Sequence, residues 1–119
     1  MIIAVDGSAA SGKGTLAKRL AAHFDLSHLD TGSLYRLVGL AALEQNLSPK
    51  NITENQSVTI ARTLDLSVTP DHRIRNDRVA EMASIVATMP SVRTCLLELQ
   101  RGFATHQPAT NGAVLDGRD

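Results

Sequence analysis

Ile2-Ile3-Ala4-Val5-Asp6-Gly7-Ser8-Ala9-Ala10-Ser11-Gly12-Lys13-Gly14-Thr15 runs from a short apolar segment directly into a glycine-rich turn that carries one lysine. A continuous apolar run bounded by turn residues reads as a buried strand of a parallel sheet. Downstream, Ala17, Leu20, Ala21 and Phe24 recur at i, i+3, i+4 and i+7, the spacing of one helix face. Strand, glycine loop and helix in this order make a cradle for phosphate. Successive backbone N–H groups curl around the anion, the lysine reaches the terminal phosphates, and the helix presents its positive N-terminal end. Glycine is needed because side chains would block that approach. Gly7, Ser8, Ala9, Ala10, Ser11, Gly12, Lys13, Gly14 and Thr15 are thus the expected nucleotide-binding residues.

The general phosphate-loop pattern has Ser or Thr immediately after the lysine, whereas here Gly14 intervenes and moves the hydroxyl to Thr15. This ending resembles nucleoside monophosphate kinases more than GTPases or motor ATPases. A dinucleotide-binding loop is the main decoy, since Gly12-x-Gly14-x-x-Ala17 fits its fingerprint and Asp30 sits near the place of a ribose-binding acid. Gly12, however, lies six residues past Asp6, too far to form the tight first turn, and such a loop has no use for Lys13.

With 119 residues and a formal net charge of zero, the chain fits one domain over 1–119 and lacks the basic excess of a non-specific nucleic-acid binder. The expected partners are small molecules, with no nucleic acid and no membrane. No apolar stretch approaches a membrane span, the N-terminus starts inside a strand, and the cytoplasm is the expected location. Cys95 is the single cysteine and falls on the apolar helical stripe Val92, Cys95, Leu96, Leu99, Phe103, which makes it a core residue. His23, His28, His72 and His106 show no metal-ligand spacing and read as surface or helix-end residues. Nine of the twelve basic residues are arginines, a skew that suits bidentate phosphate contacts. Most of them, Arg19, Arg62, Arg73, Arg75 and Arg101 included, read as solvated.

Along the chain, Ser27 to Asp30 predicts a second strand, and Thr31-Gly32 opens a helix with Leu34, Leu37, Val38 and Ala41 on one face, ending near Asn46. A weaker helix is expected over about Thr53 to Leu64. Leu66 to Thr69 and His72 to Arg75, around Pro70-Asp71, predict a small hairpin. Helices follow from about Arg78 to Thr88 and from Pro90 to about Thr105. Ala113-Val114-Leu115 is a third apolar run leading into Asp116-Gly117-Arg118-Asp119. Alternating strands and helices predict an α/β fold, a parallel sheet with helices on both faces, whose ligands bind beyond the carboxyl ends of the strands. Three strands make a thin sheet, and the third would present an unpaired edge. The expectation is an N-terminal portion of a longer protein, incomplete at its C-terminus.

Asp30-Thr31-Gly32-Ser33-Leu34-Tyr35-Arg36 is a second cluster. Thr31 stands at a helix N-terminus, where hydroxyl and N–H groups can meet an anion, and Arg36 follows within two turns. Opposite a phosphate loop, this suits a second, acceptor phosphate held in line with the donor.

Together with Ser84, Pro-Ser-Val-Arg at 90–93 and Asp-Gly-Arg-Asp at 116–119, these two clusters resemble the bacterial cytidylate kinases over the whole chain. The resemblance implies a P-loop kinase fold with a monophosphate-binding insert around 31–93 and transfer of the ATP γ-phosphoryl group to CMP or dCMP. It implies that Thr31, Tyr35, Arg36, Ser84, Arg93, Arg118 and Asp119 face the acceptor, with Ser84, Arg93 and Asp119 near the cytosine. Lys13, Arg36 and Arg118 would be the catalytic cations. The family more often has Ser at the place of Thr31, and the hydroxyl is kept. The family's later segment, with its arginine-rich lid, has no counterpart here, and the complete protein is expected to be a monomer.

The chemistry agrees with that inventory. A nucleoside monophosphate is mostly a dianion at neutral pH, its second pKa being about 6, so the acceptor oxygen needs cations rather than a general base. Mg2+ would be ligated chiefly by phosphates and water, and no protein metal ligand is assigned. Adenylate kinases share Gly-Lys-Gly-Thr but usually carry Gly-Phe-Pro-Arg where this chain has Asp-Gly-Arg-Asp. A GTPase would need Asp-x-x-Gly and Asn-Lys-x-Asp, which do not occur. A nucleotide-binding module without turnover is the remaining alternative, because the lid is missing.

Overall fold

A computed structural model describes residues 1–6, 12–66, 72–106 and 110–117. The chain divides into two compact units, Met1–Gly32 with Gln100–Asp119, and Ser33–Leu99.

In the first unit, β1 (Ile2–Asp6), β2 (Ser27–Asp30) and β3 (Ala113–Gly117) form a parallel sheet in the order β1-β3-β2. The strand positions and the parallel α/β architecture agree with the sequence pattern. The place of the third strand does not. It is not an open edge: β3 lies in the middle, paired with β1 from Ile2↔Ala113 to Asp6↔Gly117 and with β2 from Ser27↔Ala113 to Asp30↔Asp116. The reason lies in burial. Ala113 and Val114 are fully buried, as a central strand requires, whereas β1 at the edge leaves Ile2 56% exposed.

The helix α1 (Lys13–Phe24) packs Ala17 and Ala21 with Leu26 and Val114 into a core joined by Ile3, Val5 and Leu20. Phe24, expected on the same face, stays exposed at the last turn, its ring edge-on to His23 at 4.6 Å. The helix stops at Asp25, which takes the left-handed conformation (φ 53°) that Asp and Asn tolerate better than most side chains. Leu26 N–H then donates back to the Ala21 carbonyl at 2.8 Å.

The strand starts are tied together at Gly112, whose φ of 141° strains any other residue. A Cβ there would collide with the Met1 carbonyl. That carbonyl accepts from Ala113 N–H at 2.9 Å, while the Gly112 carbonyl accepts from Ser27 N–H at 2.9 Å. One glycine thus sets the starting register of all three strands.

The second unit contains most of α2 (Gly32–Glu44), all of α3 (Glu54–Arg62) and α4 (Asp77–Val86), and the first turns of α5 (Pro90–Thr105). Leu34, Val38, Val92 and Leu96 are fully buried and Cys95 is a buried free thiol, as the apolar spacings indicate; Met82 and Val86 of α4 are also fully buried. On α3, Thr53 and Gln56 form a reciprocal capping box at 3.1 and 2.9 Å. Asn76 caps α4 by accepting from Arg78 N–H at 2.7 Å. At the start of α5, Ser91 N–H donates to the Glu54 carboxylate at 3.3 Å, an acid set against a positive helix end. A Cβ on Gly39 of α2 would stand 3.0 Å from the Val79 carbonyl and 3.1 Å from Ala83 N, so a glycine permits α2 and α4 to pack this closely.

The hairpin expected around Pro70 is not formed by His72–Arg75, which makes a 3-10 turn. Its backbone is served otherwise: the Ile74 carbonyl accepts from a side chain, and the Arg73 carbonyl accepts from Asn76 N–H at 3.4 Å. An isolated two-stranded ladder would be marginal beside these contacts. The other half of that expectation, residues 67–71, lies outside the described residues. Among the described residues no single helix is long and apolar enough to cross a membrane.

Candidate functional site

Parallel strands put all their carboxyl ends on one edge of the sheet, and the register brings Asp6 opposite Gly117 and Asp30 opposite Asp116 there. The first turn of α1 opens at the same edge. Gly12 precedes it with φ 79°, a left-handed conformation suited to glycine, and accepts no side-chain cap. Among the described residues no side chain caps the early N–H groups of α1, which suits an anion site at a helix N-terminus. Thr15 lies exposed on this first turn. Gly7, Ser8, Ala9, Ala10 and Ser11, and the side chain of Lys13, lie outside the described residues, as do Arg118 and Asp119.

Against this turn stands Asp116, only 3% exposed, with Oδ2 3.7 Å from where a Cβ on Gly14 would be. An acid so close to a helix N-terminus is favoured by the helix dipole. His28 Nε2 lies 3.4 Å from the same Oδ2. The Asp116 main chain is held separately: its carbonyl accepts from Thr31 N–H at 2.6 Å and from the Thr31 hydroxyl at 3.1 Å. Both Thr31 donors are thus directed at β3, leaving the hydroxyl oxygen as an acceptor. Asp30 Oδ1 accepts from Gly32 N–H at 3.1 Å and closes the turn into α2.

His28 does not stand out in the sequence as a site residue, and Asp116 enters there only as the first residue of Asp-Gly-Arg-Asp, with no role of its own. His28, read there as a surface or helix-end residue, is in β2 and half-buried, because the register pairs it with Val114. Asp116 could have been noticed. It follows Val114 by two residues and so shares that residue's buried face, where an acid is out of keeping with the apolar pattern. Among the described residues no group of three His, Cys, Asp or Glu side chains could hold a metal ion.

The remaining sequence-derived candidates lie in the second unit. Tyr35 and Arg36 are half-buried near the start of α2, and Arg36 Nη1 donates to the Ile74 carbonyl at 3.0 Å. Ser84 is exposed on α4, its hydroxyl donating to the Ala80 carbonyl at 3.1 Å. Arg93 is exposed on α5. Among the described residues no hydrogen bond joins these four to one another, and each presents a polar group that a ligand could engage.

The family model described as cytidylate kinase matches residues 3–119. Curated proteins named cytidylate kinase are similar over the whole chain. That of Azorhizobium caulinodans is 53% identical, with 55% of its length covered. That of Rhodopseudomonas palustris is 51% identical, with 54% covered. That of Rhodospirillum rubrum is 49% identical, with 55% covered. The chain therefore spans about half the length of the curated relatives it matches.

Proposed function

The chain belongs to the cytidylate kinase family, and from that premise we propose that its protein transfers the γ-phosphoryl group of ATP to CMP or dCMP, giving ADP and the corresponding diphosphate. The observation that carries this reading is the first turn of α1, entered at Gly12 without a side-chain cap among the described residues, with the Asp116 carboxylate beside it. ATP phosphates would sit on the backbone of Gly7 to Thr15, with Lys13 stabilising charge that develops on the γ-phosphoryl group.

The acceptor phosphate would be held by Arg36, Arg118 and the turn at Thr31, and the cytosine would be met by Ser84, Arg93 and Asp119, with Tyr35 against the acceptor. These are hydrogen-bonding groups suited to reading a base edge. Because the acceptor is already mostly a dianion, the work falls on cations and alignment rather than on proton removal.

A carboxylate beside a phosphate loop also calls for a positive charge between the two anions. Asp116 would suit a Mg2+ ion bound with the nucleotide, where its carboxylate could accept hydrogen bonds from water on the ion. When bound, Mg2+ supplies neutralisation of the phosphate oxygens. His28, with Nε2 3.4 Å from Oδ2, would help to position the Asp116 carboxylate.

The test is an ADP-release assay on the full polypeptide with ATP, Mg2+ and CMP, dCMP, UMP or AMP in turn. CMP and dCMP are expected to give the highest kcat/KM. Preferential turnover of AMP would replace this reading with an adenylate kinase, and ATP binding without transfer to any of the four would leave a nucleotide-binding module.

A further inference from the structure

A recess of about 560 Å3 lies within the second unit, where α2 passes the 3-10 turn and the start of α4. It is lined by Leu40, Leu43 and Val79 together with His72, Arg75 and Arg78. Its size falls in the range of small-molecule sites, about 300–1,000 Å3. Glu44, the one acidic residue lining it among the described residues, pairs with Arg73 at 3.5 Å. The guanidinium groups of Arg75 and Arg78 have no hydrogen bond or ion pair among the described residues. The chain as a whole is neutral, so this positive excess is local.

We propose that this recess is a second ligand site, taking a small organic phosphate: an apolar or ring-shaped body against Leu40, Leu43 and Val79, and a phosphate on Arg75 and Arg78. Arginine's planar fork binds phosphate oxygens in pairs, and His72 adds a ring N–H at the same rim. A polyanion such as nucleic acid fits less well, because a single recess on a neutral chain offers no extended basic track.

The recess is separate from the proposed acceptor residues and independent of their assignment. None of Thr31, Tyr35, Arg36, Ser84 and Arg93 lines it. Leu40 and Leu43 lie four and seven residues beyond Arg36, roughly 6 to 10 Å farther along α2. The two places are nevertheless linked. Arg36 donates to the Ile74 carbonyl, and Ile74 stands between Arg73 and Arg75 in the 3-10 turn. A ligand that orders the turn would therefore be felt at Arg36.

Amide chemical-shift titration of the full polypeptide tests this with phenyl phosphate as the probe, and with phenol, inorganic phosphate and AMP as comparison ligands. Saturable shifts at Leu40–Glu44 and His72–Val79 are expected for phenyl phosphate, weaker ones for inorganic phosphate, and none for phenol. A response to AMP at the same residues would identify a nucleotide as the natural class; its absence there would point to a non-nucleotide phosphate ester. Arg75→Gln and Arg78→Gln alter exposed, unpaired side chains, so the fold is retained, and each is expected to weaken phenyl phosphate by about tenfold. Shifts confined to Thr31–Arg36, unchanged affinity in both variants, or inorganic phosphate binding as tightly as phenyl phosphate would overturn the proposal.

Discussion

Nε2 of His28 lies 3.4 Å from Oδ2 of Asp116, a contact that joins a β2 side chain to a buried acid on the middle strand. The same carboxylate oxygen borders the first turn of α1 at Gly14. One acid is thus presented to the first turn of α1, with its main chain bonded by Thr31 and its side chain in contact with His28.

Asp116→Asn keeps the size of the side chain and leaves the Thr31 bonds intact, since these use the main-chain carbonyl. Phosphoryl transfer is expected to fall by about tenfold to a hundredfold, and the Mg2+ concentration giving half-maximal rate is expected to rise. Initial rates across a Mg2+ titration measure both. An unchanged Mg2+ dependence would remove Asp116 from the metal's surroundings.

Lys13→Ala is expected to lower kcat by two to three orders of magnitude, the equivalent of about 3–4 kcal/mol of transition-state stabilisation, with the thermal unfolding midpoint little changed. Steady-state kinetics on the full polypeptide, paired with a melting curve, separates the two effects. Near-normal turnover would refute the phosphate-loop role.

Arg93→Ala should weaken CMP by about tenfold to a hundredfold while ATP binding stays near its original value, because a site that hydrogen-bonds a base leaves polar groups unpaired once a partner is removed. Arg93 is exposed, so its loss carries little cost in stability. Separate calorimetric titrations with each nucleotide read the difference. Equal losses for both would count against a cytosine contact at this position.

Gly39 sits where α2 meets α4, and helix propensity alone would favour alanine there by about 1 kcal/mol. The Val79 carbonyl and Ala83 N would meet the added Cβ at 3.0 and 3.1 Å, and both are backbone atoms that move only with α4. Gly39→Ala is therefore expected to show none of the propensity gain, and Gly39→Val to cost about 1–3 kcal/mol. Urea unfolding of the two variants decides it; stabilisation by alanine would mean that α4 yields readily.

Where spacing along the chain carries the information, the sequence and the fold agree. The apolar run Ile2–Val5 is a strand, the helix after the glycine loop begins at Lys13, and Pro90 opens a helix that ends at Thr105. Each depends on residues a few positions apart, through side-chain alternation, helix periodicity or a proline whose φ suits a first turn. The relationships that assemble the candidate site have no such local signature. Asp116 meets His28 across 88 residues of chain and Thr31 across 85, and Arg36 meets Ile74 across 38. Insertion of β3 between β1 and β2, and the choice of a 3-10 turn over a hairpin at His72–Arg75, likewise depend on distant partners. Local propensity limits which elements form. Burial of Val114 against α1, and the need to satisfy each buried polar group, select how those elements pair, because these gains arise only when distant segments are brought together.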